Sequence, residues 1–174
     1  MNKREIDSAL IKTASGDNDA FERLYEETKR GVYSYLFSYF DNIADCEDAM
    51  QDTYLKIKQN INRYTPGTNG LAWILQIAKN TALNALRSKR LRENGIVYSE
   101  EPTTGLENYE LKETLTTIMK RVLDEDEQRI IILHAIWGYK HKEIAKIMDK
   151  PVGTVTSKYK RAVDKLKTAW KEER

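Results

Sequence analysis

Apolar residues recur at helical spacing along most of this chain, and that periodicity limits its possible folds more than any other feature. Stretches around Leu10, Leu24, Leu36 and Ile57 repeat every three to four residues, whereas alternating apolar and polar runs are scarce. A spacing of three to four residues places apolar side chains on one face of an α-helix. The sequence therefore predicts an all-α fold.

Turn and capping residues divide the periodic stretches into helices. A first helix is predicted to end near Gly16, and Asp17 or Asn18 can cap the next one. Further helices are predicted up to Phe40, either as one helix or with a second one starting after Gly31, then over 43–63 and 71–92, with a turn-rich loop over 64–70. Asp124 and Glu127 resemble a capping box that opens another helix.

Residues 93–110 interrupt the pattern. They lack periodicity, contain Gly95, Pro102 and Gly105, and hold five glutamates without a base. Such composition is typical of a linker. We therefore predict two small helical domains, residues 1–92 and 111–174, joined by a flexible acidic linker over residues 93–110, with a helix-turn-helix in the second domain.

Several functional classes find no support in the sequence. The single cysteine, Cys46, cannot form an internal disulfide. The two histidines, His134 and His141, are separated and lack the spacing of metal ligands. No catalytic constellation or glycine-rich phosphate loop is visible. We expect no enzyme activity, cofactor, metal or small-molecule substrate. The N-terminus lacks a signal-peptide core and no apolar run is long enough to span a bilayer, so a cytoplasmic protein without membrane insertion is expected.

The segment 149–162 predicts DNA binding. A short turn with Pro151 separates a helix over 142–148 from a second helix that carries Val155, Tyr159, Val163 and Leu166 on one face. Two short helices joined this tightly are typical of a helix-turn-helix. The other face of the second helix presents hydroxyl groups and cations suited to base edges and phosphates, Thr154, Ser157, Lys160 and Arg161. An ordinary solvated helical hairpin is the alternative.

The helix over 43–63 divides into two faces. Its apolar stripe, predicted to lie in the core, consists of Ile43, Cys46, Met50, Tyr54, Ile57 and Ile61. The opposite face carries Asp45, Asp48 and Asp52, flanked by Gln51 and the solitary Leu55. Acidic side chains beside an exposed leucine suggest docking to a basic, partly apolar partner. A plain solvated face remains the alternative.

The helix over 71–92 contains no acid, and its predicted buried side is formed by Leu71, Ile74, Leu75, Ala78, Ala82 and Ala85. The other side carries Trp73, Gln76, Asn80, Asn84 and Arg87, with Lys79 and Arg90 at its edge. Aromatic rings, amides and guanidinium groups suit unstacked bases and phosphates. The preceding loop adds Tyr64, Thr68 and Asn69, which can surround a flipped base. A tryptophan in a small helical domain is, however, more often part of the core.

The order of these motifs resembles that of a bacterial extracytoplasmic-function (ECF) sigma factor of the compact two-domain type. The resemblance covers nearly the whole chain outside the linker. The residues that carry it are Gly16-Asp17, Ala20-Phe21, Leu24-Tyr25, the acidic segment 45–56, the segment 72–80, Glu143-Ile144-Ala145 and the segment 151–155.

The resemblance implies a role for each surface. The acidic helix would dock on the β′ clamp helices of core RNA polymerase through Asp45, Asp48, Gln51, Asp52 and Leu55. The loop and following helix would capture −10 bases through Tyr64, Thr68, Asn69, Trp73, Lys79, Asn80, Asn84 and Arg87. The helix-turn-helix would read the −35 element through Thr154, Thr156, Ser157, Lys158, Lys160 and Arg161.

The resemblance also implies partners and a biological setting. They are the β′ and β subunits of core polymerase, promoter DNA and an anti-sigma factor, in an envelope or environmental stress response. Thr156 and Lys158 depart from the basic residue and the arginine common in the family, which alters the expected −35 preference. An unaided helix-turn-helix regulator is the main rival, but it leaves the acidic and amide faces without a task. A site-specific recombinase lacks a visible nucleophile.

Overall fold

The structure, a computed structural model, describes residues 2–40, 42–94 and 113–172. The chain divides into two compact units, residues 1–103 (the N-terminal unit) and 104–174 (the C-terminal unit). All regular elements in the described ranges are helical. The predicted all-α fold is therefore confirmed. The predicted linker lies outside the described residues except for 93 and 94, which extend a helix, so the domain boundaries stay a prediction.

The helices of the N-terminal unit are α1 (Lys3–Ala14), α2 (Asn18–Phe37), α3 (Ile43–Asn60) and α4 (Gly70–Asn94). Those of the C-terminal unit are α5 (Glu113–Val122), α6 (Glu125–Ile131), α7 (His141–Met148) and α8 (Val152–Glu172). A 3₁₀ turn (Ile61–Arg63) follows α3, and a π-helical turn (Ile132–Ile136) continues α6.

Side-chain caps fix the helix starts in the N-terminal unit. Asn2 and Glu5 form a capping box on α1, Asp17 accepts a hydrogen bond from the Ala20 amide, and Asn42 accepts one from the Asp45 amide. Each cap satisfies an amide that the helix itself leaves unpaired. Of the two predicted alternatives for residues 18–40, the structure has one helix, α2, which passes through Gly31 without a break.

The core of the N-terminal unit forms where α1 and α3 pack against α2 and α4. Leu10, Leu24, Leu36, Ile57 and Ile74 are fully buried. The Thr28 and Tyr54 hydroxyls lie 2.7 Å apart inside this core, so two buried polar groups satisfy each other. The predicted stripe on α3 is correct with one exception. Ile43 is 60 % exposed, because it is the first residue of α3 and lies beyond the packed part of the helix.

The C-terminal unit is built around α8, which packs against α5, α6 and α7. The predicted Asp124–Glu127 capping box opens α6, and Gly138, with a positive φ, ends the π-helical turn. The turn between α7 and α8 starts at Asp149, which adopts a left-handed conformation, and the Lys150 amide donates to the Ala145 carbonyl. The buried line of α8 consists of Val155, Ala162 and Ala169, while the predicted Tyr159, Val163 and Leu166 are half-buried beside it.

In the part of the chain that the structure describes, no helix combines the length and apolar character needed to cross a bilayer.

Candidate functional site

The acidic face of α3 consists of Asp48, Gln51, Asp52 and Leu55, all exposed on one side of the helix. Leu55 is 55 % exposed although the opposite side of α3 is packed into the core. The spacing of three and four residues makes these side chains neighbours. They form a surface that offers carboxylates, an amide and an apolar side chain to a partner.

Asp45 differs from this face. Its carboxylate accepts hydrogen bonds from the ammonium of Lys89 on α4 at 2.8 Å and from the side-chain amide of Asn42 at 2.7 Å. Burial alone would raise the pKa of Asp45, but these two hydrogen bonds hold that pKa below its usual value. Asp45 therefore ties the start of α3 to α4, and its carboxylate is already paired with Lys89.

The amide face of α4 consists of Gln76, Asn80, Asn84 and Arg87, all exposed. The Gln76 amide donates to the Asn80 carbonyl oxygen at 3.0 Å, so the two side chains are ordered together one turn apart. Leu83 lies in the same stretch and is 43 % exposed. Lys79 is half-buried at the edge of this face. Hydrogen-bonding amides, a guanidinium group and an apolar side chain can together contact base edges, phosphates and ring faces.

The loop that precedes α4, residues 64–70, has a buried side and an exposed side. Tyr64 is 7 % exposed, its ring lies 5.4 Å from that of Trp73, and its hydroxyl donates to Asp7 of α1. Asn69 caps α4 by accepting from the Ala72 amide, while Thr68 is exposed. Tyr64 was predicted to surround a flipped base. Its buried ring presents no free face in this structure, so Tyr64 orders the loop instead.

The recognition face of α8 consists of Thr154, Ser157, Lys160 and Arg161, all exposed as predicted. The Ser157 hydroxyl donates to the Gly153 carbonyl at 2.9 Å. These side chains occupy one side of α8, opposite the buried Val155 and Ala162. Small hydroxyl groups and long cations on the second helix of such a motif match the contacts that read a major groove.

Lys158 does not share the recognition face with which it was predicted. Its ammonium lies 2.8 Å from an Asp124 carboxylate oxygen and 3.4 Å from one of Asp126, and its side chain is 18 % exposed. Asp126 also pairs with Lys150 of the turn, at 2.9 Å. The long lysine side chain folds back to the start of α6, where the carboxylates compensate its charge. Lys158 is thus paired within its own unit, and the contact with the −35 element that the resemblance implies for it stays a prediction.

These ion pairs also shift the pKa values of their members. Burial alone would raise the pKa of Asp126, but Lys150 and Lys158 hold it below its usual value. Burial alone would also raise the pKa of Asp124, but the hydrogen bond from Lys158 is the main reason that this pKa is lowered instead. Burial would lower the pKa of Lys158, but the two carboxylates raise it.

Thr156 is half-buried on the side of α8 that faces α7. Its hydroxyl donates to the Val152 carbonyl and lies 3.1 Å from the His141 Nδ1. The His141 ring in turn packs against His134 and Tyr159. Thr156 thus contributes to the packing of the two helices of the motif as well as lying near its recognition face.

Sequence reasoning missed Asp7 and the histidine cluster. Asp7 reaches Tyr64 across 57 positions of sequence, and neither residue belongs to a motif that would connect them. A lone acid in the first helix carries no signal of this role. His134 and His141 lack metal-ligand spacing in the sequence, and their rings meet each other and Tyr159 only because the π-helical turn, α7 and α8 pack together.

Comparison with known families gives two matches. Residues 24–92 match the description Sigma-70 region 2, and residues 119–166 match Sigma-70, region 4. Similar proteins include the ECF RNA polymerase sigma-E factors of Haemophilus influenzae and Escherichia coli K12. Each is 29 % identical over alignments that cover 93 % of this chain and 94 % and 93 % of the two relatives, respectively.

Solved structures share the fold. The structure of CnrH in complex with the cytosolic domain of CnrY gives a TM-score of 0.68 at 22 % identity, covering 98 % of this chain and 99 % of that one. The sigma factor RpoE in complex with the anti-sigma factor NepR from Bartonella quintana gives 0.67 at 22 % identity, covering 88 % and 98 %.

Proposed function

Because the chain belongs to the sigma-70 family and is an alternative sigma factor of the ECF type, we propose a division of labour among its three surfaces. The acidic face of α3 binds core RNA polymerase. The amide face of α4 and the loop over 64–70 capture single-stranded bases of the −10 element. The recognition face of α8 reads the −35 element in the major groove.

One observation carries this proposal. Within the N-terminal unit, adjacent helices present exposed faces of opposite chemistry, carboxylates with Leu55 on α3 and amides with Arg87 on α4. A partner and a nucleic acid can thus be bound by one small unit at the same time. An unaided regulator needs only the recognition face of α8 and offers no reason for the other two.

The proposed partners follow from this division. They are the β′ and β subunits of core polymerase, with β′ on the acidic face, and promoter DNA. The proposed regulator is an anti-sigma factor that covers the same surfaces. Two proteins with the same fold support this proposal: RpoE is bound to the anti-sigma factor NepR, and CnrH is bound to the cytosolic domain of CnrY. We propose that the protein works in the cytoplasm, where polymerase and DNA are found, and that it selects promoters without catalysing a reaction.

In vitro transcription with bacterial core polymerase and a library of promoter fragments tests the function. We expect transcripts from defined start sites that share −10 and −35 sequences, only when the protein is added. DNA binding without any stimulation of transcription would instead support an unaided regulator.

Reversal of the acidic face tests docking. Asp48→Lys together with Asp52→Lys should abolish association with core polymerase, because two attractive charges become repulsive on an exposed surface. Both side chains are exposed, so the free energy of unfolding should change little. The matched control is Glu22→Lys, an exposed acid of α2. Unchanged co-purification of the double variant with core polymerase would remove the docking proposal.

A further inference from the structure

One carboxylate of α1, that of Asp7, is hydrogen-bonded to two points of the loop over 64–70. Asp7 accepts a hydrogen bond from the Tyr64 hydroxyl at the start of the loop and another from the Gly67 amide at 3.1 Å in its middle. The same carboxylate oxygen, Oδ1, accepts both hydrogen bonds. Asp7 therefore joins two points of the loop to a helix that lies 57 positions earlier in the sequence.

The surroundings of Tyr64 fix this arrangement further. Its ring packs against Trp73, and its hydroxyl lies 3.4 Å from the Thr68 carbonyl. At the end of the loop, Gly70 approaches α1 so closely that a Cβ there would lie 2.7 Å from Leu10 Cδ1 and 3.1 Å from the Tyr64 hydroxyl. The start, middle and end of the loop are all held, while the side chains of Thr65, Pro66 and Thr68 remain exposed.

The Tyr64 hydroxyl stays a donor over the whole neutral range. Burial, together with the hydrogen bond to Asp7 and the charge of that carboxylate, raises the pKa of Tyr64 to about 12. A phenol that does not ionise keeps its proton for Asp7. The Tyr64 hydroxyl therefore remains a donor to Asp7 at neutral pH.

We propose that Asp7 is a positioning residue for the −10 surface, holding the loop over 64–70 in the conformation that captures a displaced base of single-stranded DNA. The inference rests on the proposed function and extends it to a residue of α1 that lies outside the DNA-contacting set. A loop ordered before binding loses less conformational entropy when it closes on a ligand. Asp7 supplies this order through its oxygen acceptor, without touching DNA.

The test uses the full chain reconstituted with core polymerase. The DNA is a fork junction with a double-stranded −35 element and a single-stranded −10 non-template strand, both taken from a fragment that the wild-type protein transcribes. Affinity for this DNA is compared with affinity for a duplex that carries the −35 element alone. Thermal midpoints and binding to core polymerase are measured in parallel.

Asp7→Ala and Tyr64→Phe should each weaken binding to the single-stranded −10 element by about tenfold, the effect of losing one or two hydrogen bonds. Binding to the −35 duplex and to core polymerase should not change. Asp7→Asn should bind like wild type, because its amide oxygen can still accept from Tyr64 and Gly67. The double variant Asp7→Ala, Tyr64→Phe should be no weaker than Asp7→Ala. Glu22→Ala, on α2, is the matched acidic control.

Tyr64→Phe keeps the ring packed on Trp73, so it tests the inference even if Asp7→Ala fails to fold. Unchanged −10 binding in Asp7→Ala or Tyr64→Phe would overturn the inference. Equal losses in −10, −35 and core binding would show a purely structural role and also overturn it. An Asp7→Asn variant as weak as Asp7→Ala would exclude the acceptor role. Failure of the wild-type protein to direct transcription would instead refute the proposed function.

Discussion

Arg161 and Lys158 lie three positions apart on α8 but have different surroundings. Arg161 is exposed on the recognition face, whereas the Lys158 ammonium is within 3.4 Å of carboxylates of Asp124 and Asp126. An exposed guanidinium group remains available for a base or a phosphate. A lysine that is already paired contributes to the stability of its own unit instead.

Substitution by alanine should separate these two roles. Arg161→Ala should cost about 1–3 kcal/mol of promoter affinity if Arg161 reads a base, with an unchanged urea midpoint. Lys158→Ala should lower the free energy of unfolding by about 1 kcal/mol and leave promoter preference intact. Filter binding of the reconstituted polymerase and urea denaturation measure the two effects. An equal loss for all DNA sequences would make Arg161 a phosphate contact.

Acid should weaken the C-terminal unit through Asp124 and Asp126. Both have a pKa below the usual value of 3.8, so the folded state favours their charged forms. Their contribution to stability is therefore complete above that pH and is lost as the pH falls through the lower folded pKa.

We expect the free energy of unfolding to decline below about pH 4, and Asp126→Asn to make this decline shallower. Urea denaturation between pH 2 and pH 6, a range chosen to bracket that value, measures the effect. Asp164→Asn, at an exposed position of α8, serves as the control. A wild-type profile for Asp126→Asn would mean that the ion pairs with Lys150 and Lys158 contribute nothing.

At the scale of helices, Gly70 and Gly153 both lie at the start of a helix but differ in the space around them. A Cβ at Gly70 would lie 2.7 Å from Leu10 Cδ1, and Leu10 is fully buried. A Cβ at Gly153 would meet nothing within 4 Å. Packing therefore limits the size of the side chain at Gly70, whereas at Gly153 only the backbone preference of the residue matters.

The same substitution at the two glycines should have different effects on stability. Gly70→Ala should lower the free energy of unfolding by about 1–3 kcal/mol, because α1 and α4 must move apart. Gly153→Ala should be neutral or stabilising by up to about 1 kcal/mol, because alanine is the better helix former. Urea denaturation of both variants checks the pair. Equal stability of the two variants would contradict the close packing of α1 on α4.

The helices could be predicted because their signals are local. Caps such as Asp17 and Asp124 lie within three positions of the amides they satisfy, and apolar spacing identifies the buried sides of α3 and α4. Ile43 fitted the buried stripe, but periodicity does not show how far packing extends along a helix. Lys158 and Asp7 depended on contacts 34 and 57 positions away, which no local pattern encodes.

At the scale of the whole molecule, the amide face of α4 and the recognition face of α8 belong to different compact units. Two linked binding surfaces reinforce each other only when both can reach their targets at once. If core polymerase fixes the separation of the two units, the distance between the −10 and −35 elements becomes part of promoter recognition. Each base pair inserted between them shifts one element by about 3.4 Å and rotates it by about a tenth of a turn.

Changing that distance should therefore impair initiation strongly. Inserting or deleting about three base pairs between the elements should lower transcription roughly tenfold or more, because one surface loses its target. A spacer of unchanged length and altered sequence is the control. In vitro transcription with the reconstituted enzyme measures the effect. Equal activity at all spacings would mean that the two units read DNA independently.

The internal pairing of Lys150 and Lys158 has a consequence for how binding responds to ionic strength. Each cation that neutralises a DNA phosphate displaces condensed counterions. The plot of the logarithm of the binding constant against the logarithm of the salt concentration then becomes steeper by about 0.9. These two lysines are already paired with Asp126 and Asp124, so we expect them to displace none. Promoter affinity should therefore decline more gradually with added salt than the number of lysines in and beside α8 implies.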